Sequence, residues 1–214
     1  NYDVTLTTSK GGQCINSRTF LGFVDVFYKP DIQLTADTTY ACTVPFEVEF
    51  IDATANAVSW DWDFGNGITS NFATPSVSFA NYGSYDVSLI VTNIKGCTQT
   101  KDLSSFIEIE KISVDISSSN MSGCVPFEID LLDSTNSIRP LTDWNWSFGD
   151  GNFANAQNPS HQYISVGLFD VSLFVMNDYG CMANASFPDF VKVDEKPVVD
   201  FVVSSVFSCP GENI

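Results

Sequence analysis

Apolar and polar residues alternate with a two-residue period through most of this chain. From Pro45 to Ile51, Phe46, Val48 and Phe50 alternate with Glu47 and Glu49, the pattern of a strand buried on one face. Ser59 to Phe64 sets Trp60, Trp62 and Phe64 on one side and Ser59, Asp61 and Asp63 on the other. Tyr85, Val87, Leu89 and Val91 make a third such run with Asp86 and Ser88 outward, and Phe106-Ile-Glu-Ile-Glu110 makes a fourth. Turn-rich stretches such as Gly65-Asn66-Gly67 and Asn81-Tyr82-Gly83 separate them. Helical periodicity is almost absent, so the pattern predicts an all-β chain of short strands.

The pattern is also duplicated. Trp60-Asp-Trp-Asp-Phe-Gly-Asn-Gly67 returns as Trp144-Asn-Trp-Ser-Phe-Gly-Asp-Gly151, Cys42-Thr-Val-Pro-Phe-Glu-Val48 as Cys124-Val-Pro-Phe-Glu-Ile129, and Tyr85-Asp-Val-Ser-Leu as Phe169-Asp-Val-Ser-Leu. Gly96-Cys97 returns as Gly180-Cys181. A period this long, roughly 80 to 85 residues, makes each repeat a whole domain rather than one layer of a solenoid. Short strands with a Trp in the middle strand predict a β-sandwich of immunoglobulin type for each. Tyr2-Asp-Val-Thr-Leu6 with Cys14 matches the later part of the unit, and Pro197-Val-Val-Asp-Phe201 leading to Cys209 matches its opening. The expected organisation is therefore 1–28, the C-terminal part of a preceding unit; 29–111 and 112–195, two complete units; and 196–214, the N-terminal part of a following unit. Glu110-Lys111-Ile112 and Val193 to Pro197 leave no Gly/Ser-rich linker, so the expectation is a semi-rigid rod of tandem domains.

Composition narrows the function. With 44% hydrophobic and 14% aromatic residues, the 214-residue chain has enough apolar material for two cores. Nine basic against 26 acidic residues leave a net charge of −17, which repels nucleic acid and anionic headgroups and argues against both as direct partners. No run approaches the ~18 apolar residues of a membrane-spanning helix, so no membrane insertion is expected from this segment.

Strong further resemblance lies in the motifs themselves. Trp62-Asp-Phe-Gly-Asn-Gly67, Trp146-Ser-Phe-Gly-Asp-Gly151, Asn158-Pro-Ser-His-Gln-Tyr163 and Gly167-Leu-Phe-Asp-Val-Ser-Leu173 resemble the signature of PKD (polycystic kidney disease) domains over essentially the whole chain. The family's Asp after Trp is Ser147 in the second unit, and its Asp between the glycines is Asn66 in the first. The cysteine placement and acidic composition are similar to those of tandem PKD arrays in large Bacteroidota surface proteins, many exported by the type IX secretion system and some serving as adhesins in gliding. The resemblance implies a non-catalytic stalk in an extracellular or cell-surface protein. Its implied partners are neighbouring repeats, secretion machinery, and extracellular glycan or protein ligands. Accessory modules beside a secreted hydrolase are the alternative.

Candidate chemistry is sparse. His161 is the only histidine, which argues against catalytic triads and zinc sites, and its counterpart in the first unit is Val77, so packing or a strand-edge hydrogen bond is expected. Asp63, Asn66 and Asp150 are the candidate oxygen ligands for calcium, the one cofactor considered, against the simpler role of bracing the Gly-x-Gly turn. Trp62 and Phe64, with Trp146 and Phe148, are expected in the cores rather than on a sugar-stacking surface. Six cysteines suggest disulfides. Pairing within units would join Cys42 to Cys97 and Cys124 to Cys181. In an immunoglobulin-type sandwich, however, those turns lie at opposite ends, about 20 Å apart, against the ~7 Å a disulfide spans. Pairing of Cys42 with Cys181 across the junction is therefore favoured, with the within-unit pairs as the alternative.

Overall fold

The computed structural model describes residues 1–12 and 14–202. Cys209 and the expected opening of a further unit over 203–214 lie outside the described residues. Among the described residues there are strands and no helix, in two compact units, 1–111 and 112–214.

The first unit opens with a two-stranded antiparallel hairpin, β1 (Tyr2–Lys10) and β2 (Cys14–Val24), which pair with each other alone. A sandwich follows. Its smaller sheet is β3 (Leu34–Ala36), β5 (Phe46–Asp52) and β8 (Ser76–Phe79), in the order β3-β5-β8. The larger sheet has the order β4-β10-β9-β6-β7, from β4 (Tyr40–Ala41), β6 (Ala57–Asp63), β7 (Thr69–Ser70), β9 (Gly83–Asn93) and β10 (Thr98–Ile109). The short β4 runs parallel to β10, and the remaining pairings are antiparallel.

The alternation read from sequence is what closes this sandwich, because inward positions of both sheets meet in one core. Val48 and Phe50 from β5, Val77 and Phe79 from β8, Val87, Leu89 and Val91 from β9, and Ile107 and Ile109 from β10 are buried together with Trp62 and Phe64. Trp62 stacks on Phe64 at 5.5 Å, and Phe50 packs against both rings at 5.6 and 4.8 Å. Such offset contacts add to what area burial alone provides.

The second unit repeats the plan with β11 (Ile116–Ser117), β12 (Ser122–Cys124), β13 (Phe127–Asp130), β14 (Leu132–Asp133), β15 (Leu141–Ser147), β16 (Phe153–Ala154), β17 (Ser160–Tyr163), β18 (Gly167–Asn177) and β19 (Met182–Asp194). Its five-stranded sheet has the order β12-β19-β18-β15-β16, matching the first unit strand for strand. The smaller side is broken into the pairs β11-β14 and β13-β17. Val44-Pro45 and Val125-Pro126, just before β5 and β13, are both cis.

Candidate functional site: the glycine turn and the cysteines

The duplicated Phe-Gly-x-Gly motif forms the turn after β6 and after β15. In the first unit Phe64 N donates to Ile68 O at 3.3 Å, and in the second Phe148 N donates to Asn152 O at 3.2 Å. Gly65 and Gly149 take φ of 70° and 80°, and a Cβ on either would stand 2.5 Å from the backbone oxygen of Asp86 or Asp170. The first glycine of the motif is thus required twice over, by a left-handed backbone and by close approach of strand β9 or β18. Ahead of it, Trp62 and Trp146 are fully buried, their indole N–H groups donating to Phe72 O at 2.8 Å and Ala156 O at 3.0 Å. Phe64 and Phe148 are buried beside them, so all four motif aromatics are core residues, not a ligand platform.

Polar members of the motif are spent on the turn. Asp63 Oδ1 accepts from Gly65 N at 2.9 Å and Asn66 Oδ1 from Ile68 N at 3.0 Å. Asp150 Oδ1 accepts from Asn152 N and Oδ2 from Asn152 Nδ2, both at 3.0 Å. Such side-chain acceptors stand in for a further backbone turn. Among the described residues no three His, Cys, Asp or Glu side chains come together in a metal-holding group.

The residue between the glycines also reaches across the sandwich. Asn66 Nδ2 donates to Ser78 O on β8 at 3.3 Å. In the second unit the same clasp is ionic: His161 Nε2 on β17 donates to Asp150 Oδ2 at 2.7 Å, with both side chains largely buried. The imidazole lies flat on Phe148, with centroids 4.0 Å apart at 1°, and meets Tyr163 edge-on at 4.7 Å. Burial alone would raise the Asp150 carboxyl, but hydrogen bonds from His161 and Asn152, with the imidazole's charge, hold it below its ordinary value. Tyr163 is pushed above the usual phenol range by burial first and the Asp150 charge second, so it stays a donor, to Phe148 O at 2.9 Å. The sequence reading placed His161 on a strand without seeing this partner. The signal was there, since Asn66 and Val77 are replaced together by Asp150 and His161.

Two further buried contacts were not anticipated. Trp60 and Trp144, which share a face with Trp62 and Trp146, are half-buried and donate their indole N–H to Asp52 and Asp133, each at 2.7 Å. Glu110, 2% exposed, accepts a hydrogen bond from the hydroxyl of Tyr40.

Among the cysteines, Cys42 and Cys181 are disulfide-bonded, whereas Cys14, Cys97 and Cys124 are free. Neither within-unit bridge, Cys42 to Cys97 or Cys124 to Cys181, is formed. Cys97 lies in the turn between β9 and β10, where its amide donates to Asn93 Oδ1 at 3.0 Å.

Repeated five-stranded sheets, a buried motif Trp and a glycine turn locked to the neighbouring strand define a tandem array of immunoglobulin-like modules. The PKD domain family model matches residues 28–107 and 113–193, and the chain belongs to that family. It is 32% identical over 131 residues to the pre-pro-metalloprotease PrtV of Vibrio cholerae serotype O1, a match covering 61% of this chain and 14% of that protein. Among solved structures, the PKD1 domain of Vibrio anguillarum Epp is 31% identical and covers 39% of this chain and 98% of its own, with a TM-score of 0.33. The PKD1 domain of the Vibrio cholerae metalloprotease PrtV is likewise 31% identical over 39% of this chain and 100% of its own, with a TM-score of 0.34. Both matched segments are PKD domains, and the family match includes no catalytic domain. No helix among the described residues is long and apolar enough to cross a membrane.

Proposed function

We propose that the chain is a non-catalytic stalk or spacer segment of a large extracellular or cell-surface protein, an adhesin that works in surface attachment or gliding and leaves the cell by type IX secretion. The observation carrying this reading is duplication without chemistry: the same core, turn and clasp are built twice, and the conspicuous polar residues are consumed in holding them. The connection at Glu110-Lys111-Ile112 has no flexible linker composition, which suits a spacer whose domains work in series. A net charge of −17 favours solubility outside the cell and contact with cationic or neutral ligands over nucleic acid. Reading the parent gene tests the proposal, since a stalk continues the repeat for many units on both sides.

Accessory modules of a secreted hydrolase form the second reading, favoured by the 32% identity to a metalloprotease. On that reading a catalytic domain follows or precedes within about one to three units, and deleting the segment lowers turnover of polymeric but not small substrates.

A covalent staple belongs to the stalk reading. We infer that Cys42 pairs with Cys181, because both are disulfide-bonded while Cys14, Cys97 and Cys124 are free thiols. Such a bridge would oppose separation of consecutive units under load. Non-reducing peptide mapping of the parent protein is the check: a peptide linking Cys42 to Cys181 supports it, and links of Cys42 to Cys97 and Cys124 to Cys181 would sink it.

A further inference from the structure

The hairpin β1–β2 copies the β9–β10 and β18–β19 hairpins down to their irregularities. Between the pairs Val4↔Phe20 and Tyr2↔Val24, β2 advances four residues while β1 advances two. The same two extra residues occur between Val87↔Leu103 and Tyr85↔Ile107, and between Val171↔Phe187 and Phe169↔Val191. At each bulge an aspartate accepts from the amide of a left-handed residue: Asp3 Oδ1 from Gly22 N at 2.7 Å, Asp86 Oδ1 from Ser105 N at 2.7 Å, and Asp170 Oδ1 from Asp189 N at 2.8 Å. Chance does not place a carboxylate, a bulge and a positive φ together three times.

What differs is the covering. Val87, Leu89, Ile107 and Ile109 are at most 1% exposed beneath β5 and β8, whereas their counterparts Val4, Leu6, Val24 and Val26 are 38%, 61%, 41% and 61% exposed. The opposite face of the hairpin is already satisfied by hydroxyl pairs, Thr5 with Thr19 at 2.8 Å and Thr7 with Ser17 at 3.2 Å. Arg18 takes the place of Lys101, whose Nζ donates to Ile32 O at 3.2 Å ahead of β3, so the hairpin also carries an unspent donor for a strand-entry carbonyl. An isolated two-stranded ribbon with one apolar face is marginal in water, and a contiguous apolar surface of this kind calls for a partner.

We propose that the Val4, Leu6 and Val24 face is the docking surface for the remaining strands of a third sandwich of the same kind, supplied by the same polypeptide. The occupant is defined by its chemistry: an apolar face equivalent to Val48, Phe50, Val77 and Phe79, with a buried Trp and a Phe-Gly-x-Gly turn whose first glycine lies against the backbone of Asp3. The surface follows from the hairpin alone, whichever of the two proposed roles the protein fills.

Hydrogen exchange on the parent protein, expressed from its own gene, against the 214-residue chain decides the matter. The expected result is amides at Val4, Leu6 and Val24 that exchange about 100-fold or more slowly in the parent than in the shorter chain. In the parent, Leu6→Asp should abolish one cooperative unfolding transition and spare those of the two complete units, while Thr5→Asp on the satisfied face should spare all of them. Equal exchange in both proteins overturns the proposal, as does a silent Leu6→Asp. Protection that rises with concentration of the shorter chain would mean that a second copy covers the face, and a gene lacking the motif set upstream of Asn1 would also refute it.

Discussion

The carboxylate of Asp170 accepts a hydrogen bond of 2.8 Å from the backbone N–H of Asp189, a residue held at φ 51°. This bond fixes the bulge in β19 against β18, and the same aspartate presents its carbonyl oxygen to Gly149, so one residue joins the glycine turn, the central strand and the bulged strand. A non-glycine residue in the left-handed region costs about 1–2 kcal/mol, and the equivalent position in β2 is already Gly22. Asp189→Gly and Ser105→Gly should therefore raise stability by about 0.5–1 kcal/mol, after the greater chain entropy of glycine is set against the relieved strain. Asp170→Ala should lower it by about 1 kcal/mol, the net worth of one exposed hydrogen bond. Urea titrations of the separate variants measure both, and loss of stability in Asp189→Gly would contradict the strain argument.

The two glycines of the motif should not be equivalent. A Cβ at Gly149 meets the Asp170 backbone oxygen at 2.5 Å, whereas a Cβ at Gly151 meets nothing within 4 Å, though both residues have positive φ of 80° and 92°. Gly151→Ala should cost about 1–2 kcal/mol from backbone conformation alone. Gly149→Ala must also push β18 away from the turn, and should cost about 3 kcal/mol or more. Equal melting temperatures for the two variants would show that the close approach carries no weight.

Strand alternation was legible because one face of every long strand is buried, so Phe46 to Phe50 and Tyr85 to Val91 carry the two-residue period undiluted. The repeat offsets exposed the domain plan for the same reason. Contacts between residues distant along the chain were harder. Trp60 reaches Asp52 across eight residues and Trp144 reaches Asp133 across eleven, so the partner does not hold a constant offset and is invisible to the repeat. Alternation puts Trp60 beside Trp62, yet only Trp62 is sealed in the core; Trp60 lies where an aspartate can take its N–H. His161 and Asp150 were read separately, as a packing residue and a turn residue, because neither strand period nor turn chemistry reports a contact between sheets.

The paired tryptophans give a graded test of that distinction. Trp146 is wholly buried, and Trp146→Ala removes a large ring and leaves a cavity, at a cost of about 3–5 kcal/mol. Trp144→Phe keeps most of the packing and removes the N–H that Asp133 accepts, for about 1–2 kcal/mol with the carboxylate re-exposed to water. Tryptophan fluorescence with denaturant unfolding reads both. A Trp146→Ala variant that melts with the wild type while losing glycan binding would return that ring to the surface.

The ionic clasp makes the second unit acid-sensitive in a way the first is not. The Asp150 carboxyl is held below its ordinary value in the folded state, so its stabilisation is present in full above the unfolded value, about 3.9, and is lost as pH falls through the lower folded value. Protonated Asp150 can no longer accept from both Asn152 and His161, and the turn loses its tie to β17. Tyr163, with its hydroxyl raised by burial, stays neutral across this range and keeps its bond to Phe148 O, so the core beneath does not titrate with the clasp. The first unit makes the equivalent tie from Asn66 to Ser78 O, between groups that carry no titrating proton. Melting followed from pH 6 down toward pH 2 should therefore show the second unit losing stability more steeply than the first below about pH 4. Asp150→Asn should flatten that difference and His161→Gln should reduce it, each at some loss of stability at neutral pH. An acid limb unchanged in Asp150→Asn would show that other carboxylates, not this clasp, govern the response.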